Sequence, residues 1–115
     1  MSSNILEAMT GPVRVSGYAR KIRRVLNRVF RDMVRKGDLD TKTLNEYITE
    51  LNRRIFKVLV EKYRVPKEAV TNIRLKVSLV DSKLVVKDIQ VDVYDIDEIL
   101  SRNITDELKN EFDLS

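Results

Sequence analysis

Cysteine, histidine and tryptophan are absent from this chain of 115 residues, and there are only three glycines and two prolines. Without cysteine there is no disulfide and no thiolate nucleophile. Without histidine there is no imidazole base, and without both no usual zinc site can form. Gly11, Gly17 and Gly37 are too dispersed for a phosphate-cradling loop or a dinucleotide fingerprint. No apolar run approaches the roughly 20 residues that cross a bilayer. Met1-Ser2-Ser3-Asn4 followed by Ile5-Leu6-Glu7 has neither the basic start nor the apolar core of a signal peptide. The sequence predicts a cytoplasmic protein with no membrane partner. The missing cysteine, a single glutamine (Gln90) and the abundance of Lys, Arg and Glu point to a hot environment.

What is present is a core and a great deal of charge. Apolar residues make up 43% and charged residues 35%. A chain of this length buries about two thirds of its unfolded surface in one core, so residues 1–115 are expected to form a single domain. The net charge of +4 hides an asymmetry. From Arg14 to Lys36 nine bases face one acid, Asp32, for +8, whereas residues 95–115 carry seven acids and two bases, for −5. Phosphate affinity follows local charge density, so the basic block matters more than the total.

Residues 18–36 have a helical period. Tyr18, Ala19, Ile22, Val25, Leu26, Val29, Phe30 and Met33 form the core stripe, while Arg20, Arg24, Arg28, Arg31 and Arg35 fall within about 80° of one another on the opposite side. Gly37 supplies the stop, and Ser16 is the expected cap. Residues 12–16 alternate and predict a short strand after a flexible 1–11. A second helix is expected from Thr41 to Tyr63, capped by Asp40 or Thr41 and stopped by Pro66. Its core stripe is Leu44, Ile48, Leu51, Ile55, Val58 and Leu59. Phe56 and Val60 lie off that stripe, so a sheet, a partner chain or a ligand must cover a second side.

Residues 72–94 read as a β-hairpin. Ile73, Leu75, Val77 and Leu79 alternate on one strand, and Val85, Ile89, Val91 and Val93 on the other. Cross-strand partners share a face, so both odd-numbered sets meet only if the loop has an odd length. A three-residue loop, Asp81-Ser82-Lys83, pairs Val80 with Leu84 and Lys76 with Asp88. Asp95 and Glu98 have capping-box spacing, and a helical segment over 96–113 follows, with an oligomerisation role expected. The fold class is therefore α+β: two long helices packed on a small antiparallel β-hairpin sheet, with a short C-terminal helix and a dimer or higher oligomer.

Three functional classes compete. A carboxylate-dependent enzyme would have to use Asp81, Asp88, Asp92, Asp95 or Asp97. Turn, solvent-facing strand, cap and helix-dipole roles explain these better, so no enzyme, no metal and no cofactor is expected. The arginine stripe spans about 22 Å. A solvated face on a heat-stable helix usually mixes signs; here like charges recur at four-residue spacing, which destabilises an isolated helix. An external polyanion accounts for the stripe, through guanidinium forks on phosphate oxygens; its chief competitor is the acidic segment 95–113, neutralising the stripe within the protein or between subunits. The competing reading is a structural or adaptor protein whose basic helix docks on an acidic protein surface. Phe56, between Arg53 and Lys57, is the best candidate for base stacking, with Tyr18, Tyr63 and Tyr94 behind it; ordinary packing is the competing reading, since Tyr18 and Tyr47 continue core stripes. Reading of duplex DNA is disfavoured, because Asn27 is the one amide on the basic face.

Three stretches then stand out in order: Val13-Arg14-Val15-Ser16-Gly17-Tyr18-Ala19-Arg20-Lys21-Ile22-Arg23-Arg24-Val25-Leu26; Leu51-Asn52-Arg53-Arg54-Ile55; and Val65-Pro66-Lys67-Glu68-Ala69-Val70 before the hairpin. This order resembles the ThermoDBP-related group of single-stranded nucleic-acid-binding proteins of hyperthermophilic archaea. The resemblance spans roughly residues 12–95 and lies in element order and the basic helix. It implies a compact α+β domain, oligomerisation, and sequence-tolerant binding of single-stranded DNA or RNA through a basic cleft with aromatic and apolar support. The matching positions are Arg14, Arg20, Lys21, Arg24, Arg28, Arg31 and Arg35, with Arg53, Arg54, Phe56 and Lys57. The C-terminal segment departs from the group in lacking a long leucine zipper.

Overall fold

The computed structural model describes residues 5–94 and 98–114. In chain order these form β1 (Leu6–Met9), β2 (Val13–Arg14), a 3-10 turn (Val15–Gly17), α1 (Tyr18–Val29), α2 (Arg31–Arg35) and α3 (Thr41–Phe56). A π-helical stretch (Lys57–Lys62), β3 (Val70–Val80), β4 (Lys83–Tyr94) and α4 (Glu98–Glu111) follow. The expected α+β class holds, with α1 and α3 on one face of an antiparallel sheet.

Strand β3 is the centre of the sheet. Along one edge it pairs first with β1, Leu6 opposite Val77, and then with β2, Val13 opposite Thr71. Leu6–Met9 thus forms a strand where the sequence predicts a flexible start. Buried Thr10 bridges the two short strands: its amide donates to the Ile73 carbonyl and its Oγ1 accepts from the Ile73 amide, both at 3.0 Å. Gly11, at φ 69°, then takes a bend that a side chain would strain. The strand expected over 12–16 is only Val13–Arg14, because Val15–Gly17 already winds into the 3-10 turn. Ser16 does not cap α1; Gly17 holds that position, and the Ser16 amide donates to the Lys67 carbonyl at 3.0 Å.

The first helix bends instead of running unbroken to Lys36. Phe30 sits between α1 and α2 at φ −96°, ψ 7° and is fully buried. The bonds from Phe30 N to Leu26 O and from Val34 N to Phe30 O, both 3.0 Å, carry the helix around the bend. Gly37, at φ 81°, closes it, with the Asp38 amide on the Met33 carbonyl at 2.9 Å. Asp40 caps α3, accepting from the Thr43 amide at 3.2 Å. Helix α3 ends earlier than Tyr63 because Lys57–Lys62 loosens into i→i+5 bonding, as in Tyr63 N to Val58 O at 3.0 Å. In consequence Leu59 follows Ile55 into the core, while Val58, expected on the core stripe, is half exposed. Val60 packs against the edge of the core.

The hairpin turn holds two residues, not three. Val80 pairs with Lys83, and Asp81 and Ser82 both take positive φ, 51° and 64°. A β-bulge at Lys87 then inserts one residue, so Val77 opposes Val86 while Lys76 opposes Asp88, as the parity argument requires. The odd residues of β3 therefore face the helices: Ile73, Leu75 and Val77 are buried beneath Ile22, Leu26, Ile48 and Ile55.

The capping role expected of Asp95 lies outside the described residues. Helix α4 is amphipathic, and every side chain described on it is exposed.

Candidate nucleic-acid interface

The helical period that sends Tyr18, Ile22, Leu26 and Phe30 inward sends Arg20, Arg24, Arg28, Arg31 and Arg35 outward, and all five are exposed. Lys21 is half-buried beside them. Arg20, Arg24 and Arg28 stand on α1, and Arg31 and Arg35 on α2 beyond the bend at Phe30. The ion pairs among the described residues join Arg53 to Glu50, Arg74 to Asp92 and Lys76 to Glu7; none touches the ridge. The first turn of α1 carries no acid either, so its helix dipole adds positive potential at that end. Arg23 has a different task. Its Nη1 reaches Asn45 Oδ1 at 3.2 Å and its Nη2 reaches Thr49 Oγ1 at 2.8 Å, tying α1 to α3.

Helices α1 and α3 run antiparallel, which brings the start of one to the end of the other. The Tyr18 hydroxyl donates to the Asn52 carbonyl at 3.0 Å, and Asn52 Nδ2 donates to the Ala19 carbonyl at 3.1 Å. Burial pushes the Tyr18 phenol pKa above its ordinary 10.0. Arg14, exposed on β2 and one 3-10 turn ahead of α1, belongs to the same end as Arg20. The sequence-distant group Arg53, Arg54, Phe56 and Lys57 stands at the adjoining end of α3, all exposed. Arg53 is held by Glu50, with Nε 3.0 Å from Oε2; that hydrogen bond lowers the Glu50 carboxyl pKa and raises that of the guanidinium. Phe56 is 45% exposed, so its ring is open to a stacking partner. Tyr63 is exposed with Lys62 Nζ 5.5 Å from its ring centroid, while Tyr94 is exposed at the end of β4. Tyr18 is core, as its stripe position predicts, and Tyr47 is half-buried.

Three of the five candidate aspartates take ordinary structural roles, while Asp95 and Asp97 lie outside the described residues. Asp81 is in the turn, Asp88 accepts from the Ile89 amide at 2.9 Å, and Asp92 holds Arg74 at 3.1 Å. Among the described residues no acidic cluster is placed to hold a metal ion. No helix among them is long and apolar enough to cross a membrane.

One feature is not foreseen in the sequence. The helices cover β1, β2 and β3 but stop short of β4. Val86, Ile89, Val91 and Val93 face the helix side of the sheet yet remain 38–44% exposed. With Leu51, Arg54, Val58, Leu59 and Tyr63 they line an open apolar groove of about 720 Å³. A signal was available: the apolar face of β4 exceeds what two helices of these lengths can roof.

A family model described as ThermoDBP-related, archaea, matches residues 8–85. No curated protein matches the chain. Solved structures share the fold, two of them from Thermo-DBP-RP proteins. The crystal structure of apeThermo-DBP-RP2 bound to ssDNA dT10 superposes with a TM-score of 0.83 at 28% identity, covering 93% of this chain and 50% of that one. The crystal structure of pfuThermo-DBP-RP1 in crystal form II superposes with a TM-score of 0.69 at 30% identity, covering 94% of this chain and 74% of that one. This chain therefore spans half the length of the first of these proteins.

Proposed function

The chain belongs to the ThermoDBP-related family of archaea, and on that premise we propose that it is a non-enzymatic protein binding single-stranded nucleic acid through the arginine ridge. The observation that carries this reading is the ridge itself: five exposed guanidiniums on one face of α1 and α2 without a carboxylate partner among the described residues. The similarity to a Thermo-DBP-RP2 solved with ssDNA supports the choice of polyanion.

Arg20, Arg24 and Arg28 on α1, and Arg31 and Arg35 beyond the bend on α2, contact successive phosphates, with Lys21 at their side. At the α1 start, Arg14, Arg53, Arg54 and Lys57 widen the positive field, and Phe56 offers a ring to one base. Binding is tolerant of sequence. Asn27, the one amide on this helix face, donates Nδ2 to the Arg23 carbonyl at 2.8 Å, which ties its side chain to its own helix, and a face with a single amide discriminates bases poorly. The protein acts as a homo-oligomer in the cytoplasm, without a cofactor, on single-stranded DNA or RNA.

Fluorescence anisotropy with labelled dT10, its RNA counterpart and a duplex tests this. Affinity for single strands should fall steeply with salt, by about 0.7 log units per log unit of salt for each phosphate neutralised. If neither single strand binds at low salt, the ridge serves an acidic protein surface and the proposal fails.

A further inference from the structure

The end of the sheet next to the start of α1 carries a row of three residues on the face away from the helices. Arg14 on β2 is opposite Val70 on β3, and Val70 is opposite Tyr94 on β4. Val13, Thr71 and Val93 form the neighbouring row on the helix side, where Thr71 is fully buried. Strand alternation therefore turns Arg14, Val70 and Tyr94 outward. Adjacent strands lie about 4.8 Å apart, which sets the Cα atoms of Arg14 and Tyr94 roughly 10 Å from each other across Val70. Arg14 is exposed, Val70 is half-buried and Tyr94 is 49% exposed. Among the described residues neither the Arg14 guanidinium nor the Tyr94 hydroxyl has a partner. Asp92, two residues before Tyr94 on the same face, is occupied: Oδ2 accepts from Arg74 at 3.1 Å and Oδ1 from Gln90 at 3.2 Å. Glu68 and Asp95 adjoin this surface in sequence, so net charge does not mark it. The pairing of an open ring with an unpaired guanidinium does.

The loop before β3 joins this row to the ridge. The Ser16 amide donates to the Lys67 carbonyl at 3.0 Å and the Val15 amide to the Ala69 carbonyl at 2.9 Å, so residues 67–69 are fastened to the 3-10 turn that leads into α1. Lys67 is exposed there and has no ion pair among the described residues. Basic positions thus continue from Arg20 past Lys67 to Arg14. We propose that the bound single strand turns around this end of the sheet, sets phosphates on Lys67 and Arg14, and stacks one base on Tyr94 with Val70 beside the ring. The inference rests on the nucleic-acid reading and extends its site to the opposite face of the sheet. An arginine fork suits the phosphate, and a flat ring accepts any base. Phe56 stands at the end of α3 that meets the start of α1, on the helix layer, so the two rings hold different bases of one strand.

The chain has no tryptophan, so Tyr94→Trp supplies a single fluorescent reporter. Saturation with dT10 should quench its emission. Tyr94→Ala should weaken dT10 binding about 5- to 150-fold, the range for one stacked base, and leave the salt slope as in wild type. Tyr94→Phe should bind like wild type, because stacking uses the ring and not the hydroxyl. Arg14→Ala combined with Lys67→Ala should instead lower the slope of log affinity against log salt by about 1.4, at about 0.7 for each phosphate. All of these variants should keep the wild-type melting temperature and the wild-type mass by light scattering. Three results overturn the proposal and leave the ridge standing: Tyr94→Ala binding dT10 like wild type while Arg24→Ala, Arg28→Ala and Arg31→Ala together weaken it; unquenched emission from Tyr94→Trp saturated with dT10; or a changed mass of Tyr94→Ala at unchanged affinity, which assigns the ring to a contact between copies. A wild type that fails to bind dT10 at low salt overturns the ridge and this extension together.

Discussion

The Tyr18 hydroxyl donates to the Asn52 carbonyl at 3.0 Å across 34 positions of sequence, and the bond fixes which ends of α1 and α3 meet. It therefore brings the start of α1, which carries Arg20, to the end of α3, which carries Arg53 and Arg54. Tyr18→Phe should cost about 1 kcal/mol of stability, the usual net value of one such bond. It should also remove part of the alkaline sensitivity. Burial raises the Tyr18 pKa in the folded state above 10.0. Above that pH the unfolded chain releases the phenolic proton while the folded protein keeps it, so stability falls as pH rises past 10.0. Urea melts of wild type and Tyr18→Phe from neutral pH to beyond that point should show the two stabilities converging. A gap that stays constant would mean that the phenol does not titrate with folding.

Two phenylalanines separate folding from binding. Phe30 is fully buried at the bend between α1 and α2, whereas Phe56 is 45% exposed at the end of α3. Phe30→Ala should cost about 3–5 kcal/mol in chemical denaturation. Phe56→Ala should change stability by about 0.5 kcal/mol or less, yet weaken single-strand binding by about 1–3 kcal/mol if its ring stacks on a base. Affinity and unfolding measured on the same two variants read both halves of this contrast.

The hairpin turn stores strain. Asp81 and Ser82 adopt φ values of 51° and 64° without being glycine. Such turns prefer Asn-Gly, and each left-handed non-glycine residue costs about 1 kcal/mol. Asp81→Asn with Ser82→Gly should raise stability by about 0.5–1 kcal/mol in thermal or urea melts, with no effect on nucleic-acid affinity.

Much of this architecture was legible in local chemistry. The 3.6-residue period separated Ile22 and Leu26 from Arg24 and Arg28, Asp40 marked the start of α3, and parity placed Lys76 opposite Asp88. The rest depended on non-local terms. Leu6–Met9 is too short to declare itself and becomes a strand because β3 offers an open edge. The parity rule gave the right facing for Ile89, Val91 and Val93 but the wrong loop, because a bulge at Lys87 supplies the odd residue just as a three-residue loop would. Val58 left the core because the π-helical stretch after Phe56 shifts the phase of the helix, which a fixed angle per residue does not anticipate. Of the candidate site, the ridge on α1 and α2 followed from spacing alone. Its meeting with Arg53, Arg54 and Phe56 required the antiparallel packing that Tyr18 and Asn52 set.

The central claim is that the exposed guanidiniums neutralise phosphates. It is tested most directly by the slope of log affinity against log salt for dT10, measured on wild type and on a protein carrying Arg24→Ala, Arg28→Ala and Arg31→Ala. Each phosphate contact on a single strand contributes about 0.7 to that slope, so the triple variant should lose about 2 units of slope while keeping its melting temperature. An unchanged slope in a folded triple variant would contradict the account.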